Sequence, residues 1–403
     1  MNRPFVPIEE PVRRDPAAAS GVPGFALWQL GFRPFYLLAS VQAAFSIALW
    51  ALQFTGMLAS ASLRGPAWHA HEMLFGFALA VIVGFLFTAG QTWCGQRTPH
   101  GGWLAALAAL WLAARVLVLT PFGAAAAAAN VAFPLAAAVG LAVPFIRARH
   151  RRNAFFVILL VGLAGTALVF HLVQLGIVAW THASILPVGL DLVLFAMAVM
   201  GGRVIPMFTN NGVPGAGAIR TPWLERAALG SVLLVLALDA LGIDGAPLAL
   251  ACAAAAILHA LRLAGWRPWR TLRVPLVWVL HAGYAWIPVH FALRAGAELG
   301  ADAPSIAWHA LTAGAIGTLT LGMMTRTALG HTGRPLRAGR AEISSYVLVS
   351  AAALLRVLGP LVAPAHTIHA IPASAVCWST AFAVYAAAYA PRLVRARVDG
   401  RPG

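Results

Sequence analysis

The chain has 403 residues, 61% of them hydrophobic and only 10% charged, with a mean hydropathy of +0.81. Soluble domains are about a quarter charged, and the period-two segments of a transmembrane β-barrel do not occur here, so both classes are set aside. The formal charge of +16 rests on 28 basic residues, all arginine, scattered between apolar runs where they set membrane topology rather than meet nucleic acid.

Residues 1–33 open with "MNRPFVPIEEPVRR", prolines and charges where a signal peptide needs an apolar core. They read as a cytoplasmic tail. Twelve apolar segments follow, each near the roughly 20 residues that carry a helix across a bilayer. They run over 34–56, 69–90, 103–120, 122–146, 154–178, 186–208, 222–242, 247–265, 274–295, 306–328, 343–363 and 370–390. The expected fold is all-α, a single polytopic transmembrane bundle over 34–390, with a second cytoplasmic tail at 391–403. Only Pro121 and Gly123 separate the alanine-rich third and fourth segments.

Arginine-rich loops belong on the cytoplasmic side. With the N-terminus inside, "RARHRR" (147–152), "RLAGWRPWRTLR" (262–273), "RTALGHTGRPLRAGR" (326–340) and "RLVRARVDGR" (392–401) all fall inside. Arg64 and Arg294 fall outside, Arg115 and Arg356 within spans. A miscounted helix would reverse this bias downstream, and no reversal occurs. Both termini are therefore expected in the cytoplasm of a bacterial inner membrane. Cys94, Cys252 and Cys377 have no CxxC or zinc-type spacing and read as packing residues.

Eight of the 13 histidines fall in the outer half on this topology: His69, His71, His171, His182, His290, His309, His366 and His369. Imidazole can enter a bilayer uncharged, and the uncharged ring is the metal-binding form. Donors from several spans at one depth can coordinate haem iron, copper or zinc, or form a proton relay; singly, each would merely hold one hydrogen bond.

The second span opens "PAWHAHEMLFG". A helix beginning at Pro66 puts His69, Glu72, Met73 and Gly76 on one stripe, with His71 about 200° around. Glu72 could then orient His69 from behind, as carboxylates do for ligating histidines. The tripeptide Trp-His-Ala recurs at 68–70 and 308–310, placing His69 and His309 at similar depth. Glycines after each, Gly76, Gly314 and Gly317, allow close helix approach or room for a flat macrocycle. His290 in the ninth span is a further ligand candidate at that depth, beyond a kink expected at Pro288, and His171 with Gln174 in the fifth is another. Spans two, six and ten share a faint repeat, with an ionisable group near the outer end (Glu72, Asp191, His309) and a threonine near the inner (Thr88, Thr209, Thr325).

Four blocks, "LGFRPFYLLA" (30–39), "WHAHEMLFGFALAVIVGFLFTA" (68–89), "MGGRVIPMFTNNG" (200–212) and "WHALTAGAIGTLTLGMMTRTALGHTGR" (308–334), together resemble the NnrS family of bacterial membrane proteins. The resemblance implies a twelve-span protein containing haem and copper, linked to nitric oxide metabolism and resistance to nitrosative stress. His69, His71, Glu72, His309 and His331 fall in its histidine-bearing blocks. Arg203 reads as an inner-end anchor, and Arg326 with His331 and Arg334 as a cytoplasmic turn or anion-binding loop. The expectation is a haem-binding, and on the resemblance also copper-binding, protein with nitric oxide as ligand, the donors being His69, His71, His290, His309 and His171. Two alternatives stand beside it: a haem–copper-type nitric oxide reductase or oxidase-like enzyme, and a proton-coupled transporter without metal.

Overall fold

The computed structural model describes residues 24–57, 63, 65–301 and 304–401. The tail expected at 1–33 lies largely outside the described residues. Twelve long helices account for nearly everything else: α1 Phe32–Phe54, α2 Gly65–Cys94, α3 Gly101–Leu117, α4 Gly123–Arg147, α5 Phe155–Gln174 and α6 His182–Gly212. The second half holds α7 Pro222–Ala240, α8 Ala246–Gly265, α9 Pro275–Glu298, α10 Pro304–His331, α11 Arg340–Val362 and α12 Thr367–Val394.

Ten of these helices are long and apolar enough to cross a membrane. The two outside that group are α3, apolar but only 17 residues long, and α7, which carries Glu225, Arg226 and Asp239. Large apolar side chains such as Phe45, Leu112, Ile158, Leu250 and Val376 point outward. A water-soluble bundle would bury them, whereas a lipid solvent accepts them, and its lack of hydrogen-bonding partners favours closed helical backbone. The chain is a multi-pass membrane protein in contact with the bilayer.

Local chemistry sets the helix ends. Pro222 and Pro275 sit in first turns, where a missing N–H costs nothing. Gly95, at φ 68°, closes α2 with its N–H on the Gln91 carbonyl. The helix α9 runs through Pro288 without a break. At the C-terminal end of α10 the helix outruns the expected limit at 328, because "LGH" (329–331) is helix rather than loop. Nothing in it breaks a helix, and the chain turns only at Thr332 and at Gly333, whose φ is +73°.

Neighbours in sequence are mostly neighbours in space, and α12 closes the circuit by packing on α1. Inside that circuit α6 touches both α2 and α10. Thr88, Thr209 and Thr325 on these three helices are all buried, and each hydroxyl donates to the carbonyl four residues before it (Gly84, Ile205, Leu321) at 2.8 Å.

The two ends of the described chain meet. The Ala26 N–H donates to the Val394 carbonyl at 2.8 Å and the Ala396 N–H to that of Gly24 at 3.0 Å. Buried Arg33 donates to the carbonyls of Leu393 and Arg395 at 2.8 and 2.7 Å. Both ends therefore lie on one face, the terminal face.

Candidate functional site

At the opposite face the starts of α2, α6 and α10 surround a cavity of about 640 Å³, completed by α1, α11 and the start of α12. Its walls are mainly apolar, and the polar groups reaching it include His69, His182, His309, Ser305 and Arg356. That composition, an apolar chamber with a few placed polar groups, is typical of small-molecule sites.

The imidazoles of His69 and His309 face the cavity from α2 and α10 with planes 6° apart and centroids 6.1 Å apart. Trp50 stacks nearly parallel to His69, at 5.1 Å and 15°. The Nδ1–H of His309 donates to the Ser305 carbonyl one turn back, at 2.6 Å. This fixes the tautomer and leaves Nε2 with its lone pair. His69 Nδ1 is buried with no hydrogen-bond partner, as is His182 Nε2. Arg356 reaches the cavity from α11, with Ser305 Oγ at 3.4 Å.

His71 points the other way, as the 200° offset required. Its Nδ1–H donates to Glu72 Oε1 at 2.9 Å, so its Nε2 accepts from His171 Nε2–H on α5 at 3.1 Å. Glu72 also accepts from Arg115 on α3 at 2.6 Å and from Gln42 on α1 at 2.6 Å. Arg115 then donates to Asn130 on α4. Glu72 therefore orients His71, and the expected pairing with His69 is corrected. Even in a regular helix Glu72 lies about 60° around from His69, and the π-type segment Glu72–Ala78 that begins there shifts the register of the residues beyond it through its i→i+5 bonding. His69 and Met73 line the cavity, while Glu72 and Gly76 face Arg115. The helix α10 carries the matching π segment at Ala310–Gly317, again just after the histidine.

The glycines serve close packing. A Cβ on Gly314 would collide with Trp286, one on Gly317 with Trp378, and one on Gly76 would meet Arg115 Nη1 at 2.9 Å. No room for a macrocycle is left at these positions.

The remaining candidates lie elsewhere. His290 is fully buried, its Nδ1–H donates to the Ala307 carbonyl at 2.8 Å, and its ring packs on Trp308 at 5.3 Å. Trp308 stands between it and the cavity, so His290 does not join His309. Gln174 is the exposed last residue of α5. Arg203 donates to Asn153 at 2.7 Å, tying α6 to the turn before α5. Arg326 lies 3.8 Å over the Phe208 ring, and His331 packs 5.6 Å from Phe32 at the terminal face. Among the described residues, no three His, Cys, Asp or Glu side chains converge closely enough to hold a metal by themselves.

A family model, NnrS protein, matches residues 26–397. The chain belongs to the NnrS family. Comparison with curated proteins gives no match. In this NnrS member the blocks that carried the resemblance supply His69 and His309 in the cavity and His71 with Glu72 behind it. Sequence reading missed two contributors, His182 and Arg356. Arg356 had left a signal, an arginine inside an apolar span, where such a residue faces protein or a cavity rather than lipid. His182 left none beyond its depth.

Proposed function

We propose that this NnrS member binds haem in the cavity of its far face and takes nitric oxide as its small-molecule ligand, in a bacterial inner membrane. In this reading all twelve helices cross the bilayer and the terminal face is cytoplasmic, as the arginine bias requires.

The observation that carries the proposal is the pair of imidazoles, His69 and His309, presented by separate helices to one apolar cavity. The donor set fits. A porphyrin brings its own ring nitrogens, so one or two protein ligands suffice, and no larger cluster is needed. His309 has its Nδ1–H committed to Ser305, which leaves Nε2 free to coordinate. His69 keeps an unpartnered ring nitrogen in a buried setting. Arg356 offers a cation to an acidic substituent, and the apolar walls exclude water. The bound group would supply an iron coordination position for the gas.

Copper, the second metal that kinship suggests, finds its best donors in His71 and His171, with Glu72 holding the tautomer as carboxylates do behind metal-bound histidines. A single ring separates that pair from the cavity, since Phe170 packs on His71 at 5.1 Å and on His182 at 4.3 Å. This proximity favours a second reading, a haem–copper-type nitric oxide reductase, distinguished by steady consumption of nitric oxide with an electron donor.

The test is an optical spectrum and metal analysis of the purified protein. A Soret band that shifts on adding nitric oxide is expected. A protein produced with ample haem that shows no such band would overturn the proposal and favour metal-free transport.

A further inference from the structure

Behind Trp308 lies a second buried group of ionisable side chains that the cavity does not use. Asp191 on α6 is fully buried, and neither of its oxygens has a hydrogen-bond partner. Asp239, at the end of α7, faces the same guanidinium as Asp191, that of Arg294. Arg294 on α9 donates to Asp239 Oδ1, while Asp239 Oδ2 is unpartnered. The other guanidinium nitrogen, Nη1, stands 3.8 Å from Asp191 Oδ1, within ion-pair reach but too far for a hydrogen bond. The guanidinium carbon sits 4.5 Å over the Trp308 ring.

We infer that Asp191 and Asp239 share one proton and form a buried proton-holding site. Two carboxylates are both acceptors, so they can bond each other only if one keeps a proton. The charge count agrees, since two carboxylates against one guanidinium leave an uncompensated negative charge in the bundle interior, where it is costly. One proton restores neutrality. Like-charged carboxylates at contact elsewhere share protons for the same reason.

The other groups around the pair do not replace that proton. Cys252 on α8 is a buried thiol. Glu298 at the end of α9 accepts the Gly245 N–H at 2.9 Å. His290 donates through Nδ1 to Ala307, and its Nε2 has no partner to receive a second N–H. The inference does not depend on haem, because Asp191, Asp239 and Arg294 all stand outside the cavity lining.

Infrared spectroscopy of the full-length protein in H2O and D2O tests it. The expected wild-type signal is the carbonyl stretch of an un-ionised carboxyl that moves down in D2O. Asp191→Asn should abolish it, because Asp239 then remains the ionised partner of Arg294. Asp239→Asn should abolish it too, because Asp191 then ionises against the same guanidinium, so either variant suffices if the other does not fold. Glu298→Gln should keep the band. A wild-type spectrum without it, or a band that survives in an Asp191 or Asp239 variant, would overturn the inference.

Discussion

His71 and His171 meet Nε2 to Nε2 at 3.1 Å, with Glu72 on the other nitrogen of His71 at 2.9 Å. Five helices contribute to this one chain of contacts, from Gln42 on α1 to His171 on α5, so the N-terminal part of the bundle is tied together through a single carboxylate.

Removing that charge should be expensive. Glu72→Gln leaves the Arg115 guanidinium buried without a counter-charge, and breaking a buried pair from one side costs about 3–5 kcal/mol. Thermal unfolding in detergent should show a large drop for Glu72→Gln and a smaller one for the double variant Glu72→Gln/Arg115→Met. Equal losses in the two would mean that the pair contributes no coupling.

Gly76 adjoins the same network. Its added Cβ would lie 2.9 Å from Arg115 Nη1 and 3.2 Å from Gln42 Nε2. Gly76→Ala should therefore lower the unfolding temperature, although alanine is the better helix former by about 1 kcal/mol. Gly330→Ala, where the nearest atom is 4.0 Å away, is the control and should be neutral or mildly stabilising. Equal behaviour of the two variants would show that the clash is relieved by small shifts.

His290→Ala should weaken the fold while leaving the haem complement unchanged, because Trp308 separates that ring from the cavity. Loss of haem together with retained stability would return His290 to the ligand set.

At the terminal face, Arg397 donates to both oxygens of Asp399, at 2.9 and 2.6 Å, and holds its carboxyl below the ordinary carboxylate value. A lowered value means that the clasp contributes above about pH 4 and is lost as acid carries the medium down through it. Asp399→Asn reproduces the acid form at neutral pH. Trypsin should then cut after Arg397 faster than in the wild type, and an unchanged rate would mean that the clasp does not restrain the tail.

Much of the fold is written in hydropathy, since the twelve apolar segments correspond one to one with twelve helices. Boundaries drifted where no breaker marks them, as at the C-terminal end of α10, where helix continues to His331. The shared level of His69 and His309 was legible too, because Trp-His-Ala recurs near the start of two helices and both rings line the cavity. Azimuth was legible for His71, set about 200° from His69, but not for Glu72 and Gly76. A stripe drawn at 3.6 residues per turn assumes α geometry, and the π segments after His69 and His309 break that assumption. Pairings between helices, such as His71 with His171 or Arg294 with Asp239, depend on which faces meet, and one helix's pattern does not contain its neighbour's. The isolated charges Arg115, Asp191, Arg294 and Arg356 were the readable hint, since each marks a face turned toward protein.

The most direct measurement is the haem content per polypeptide of His69→Ala, His309→Ala and His331→Ala, purified alongside the wild type. Cofactor held between α2 and α10 predicts a marked loss in the first two and full retention in the third. Retention in both His69→Ala and His309→Ala would contradict it.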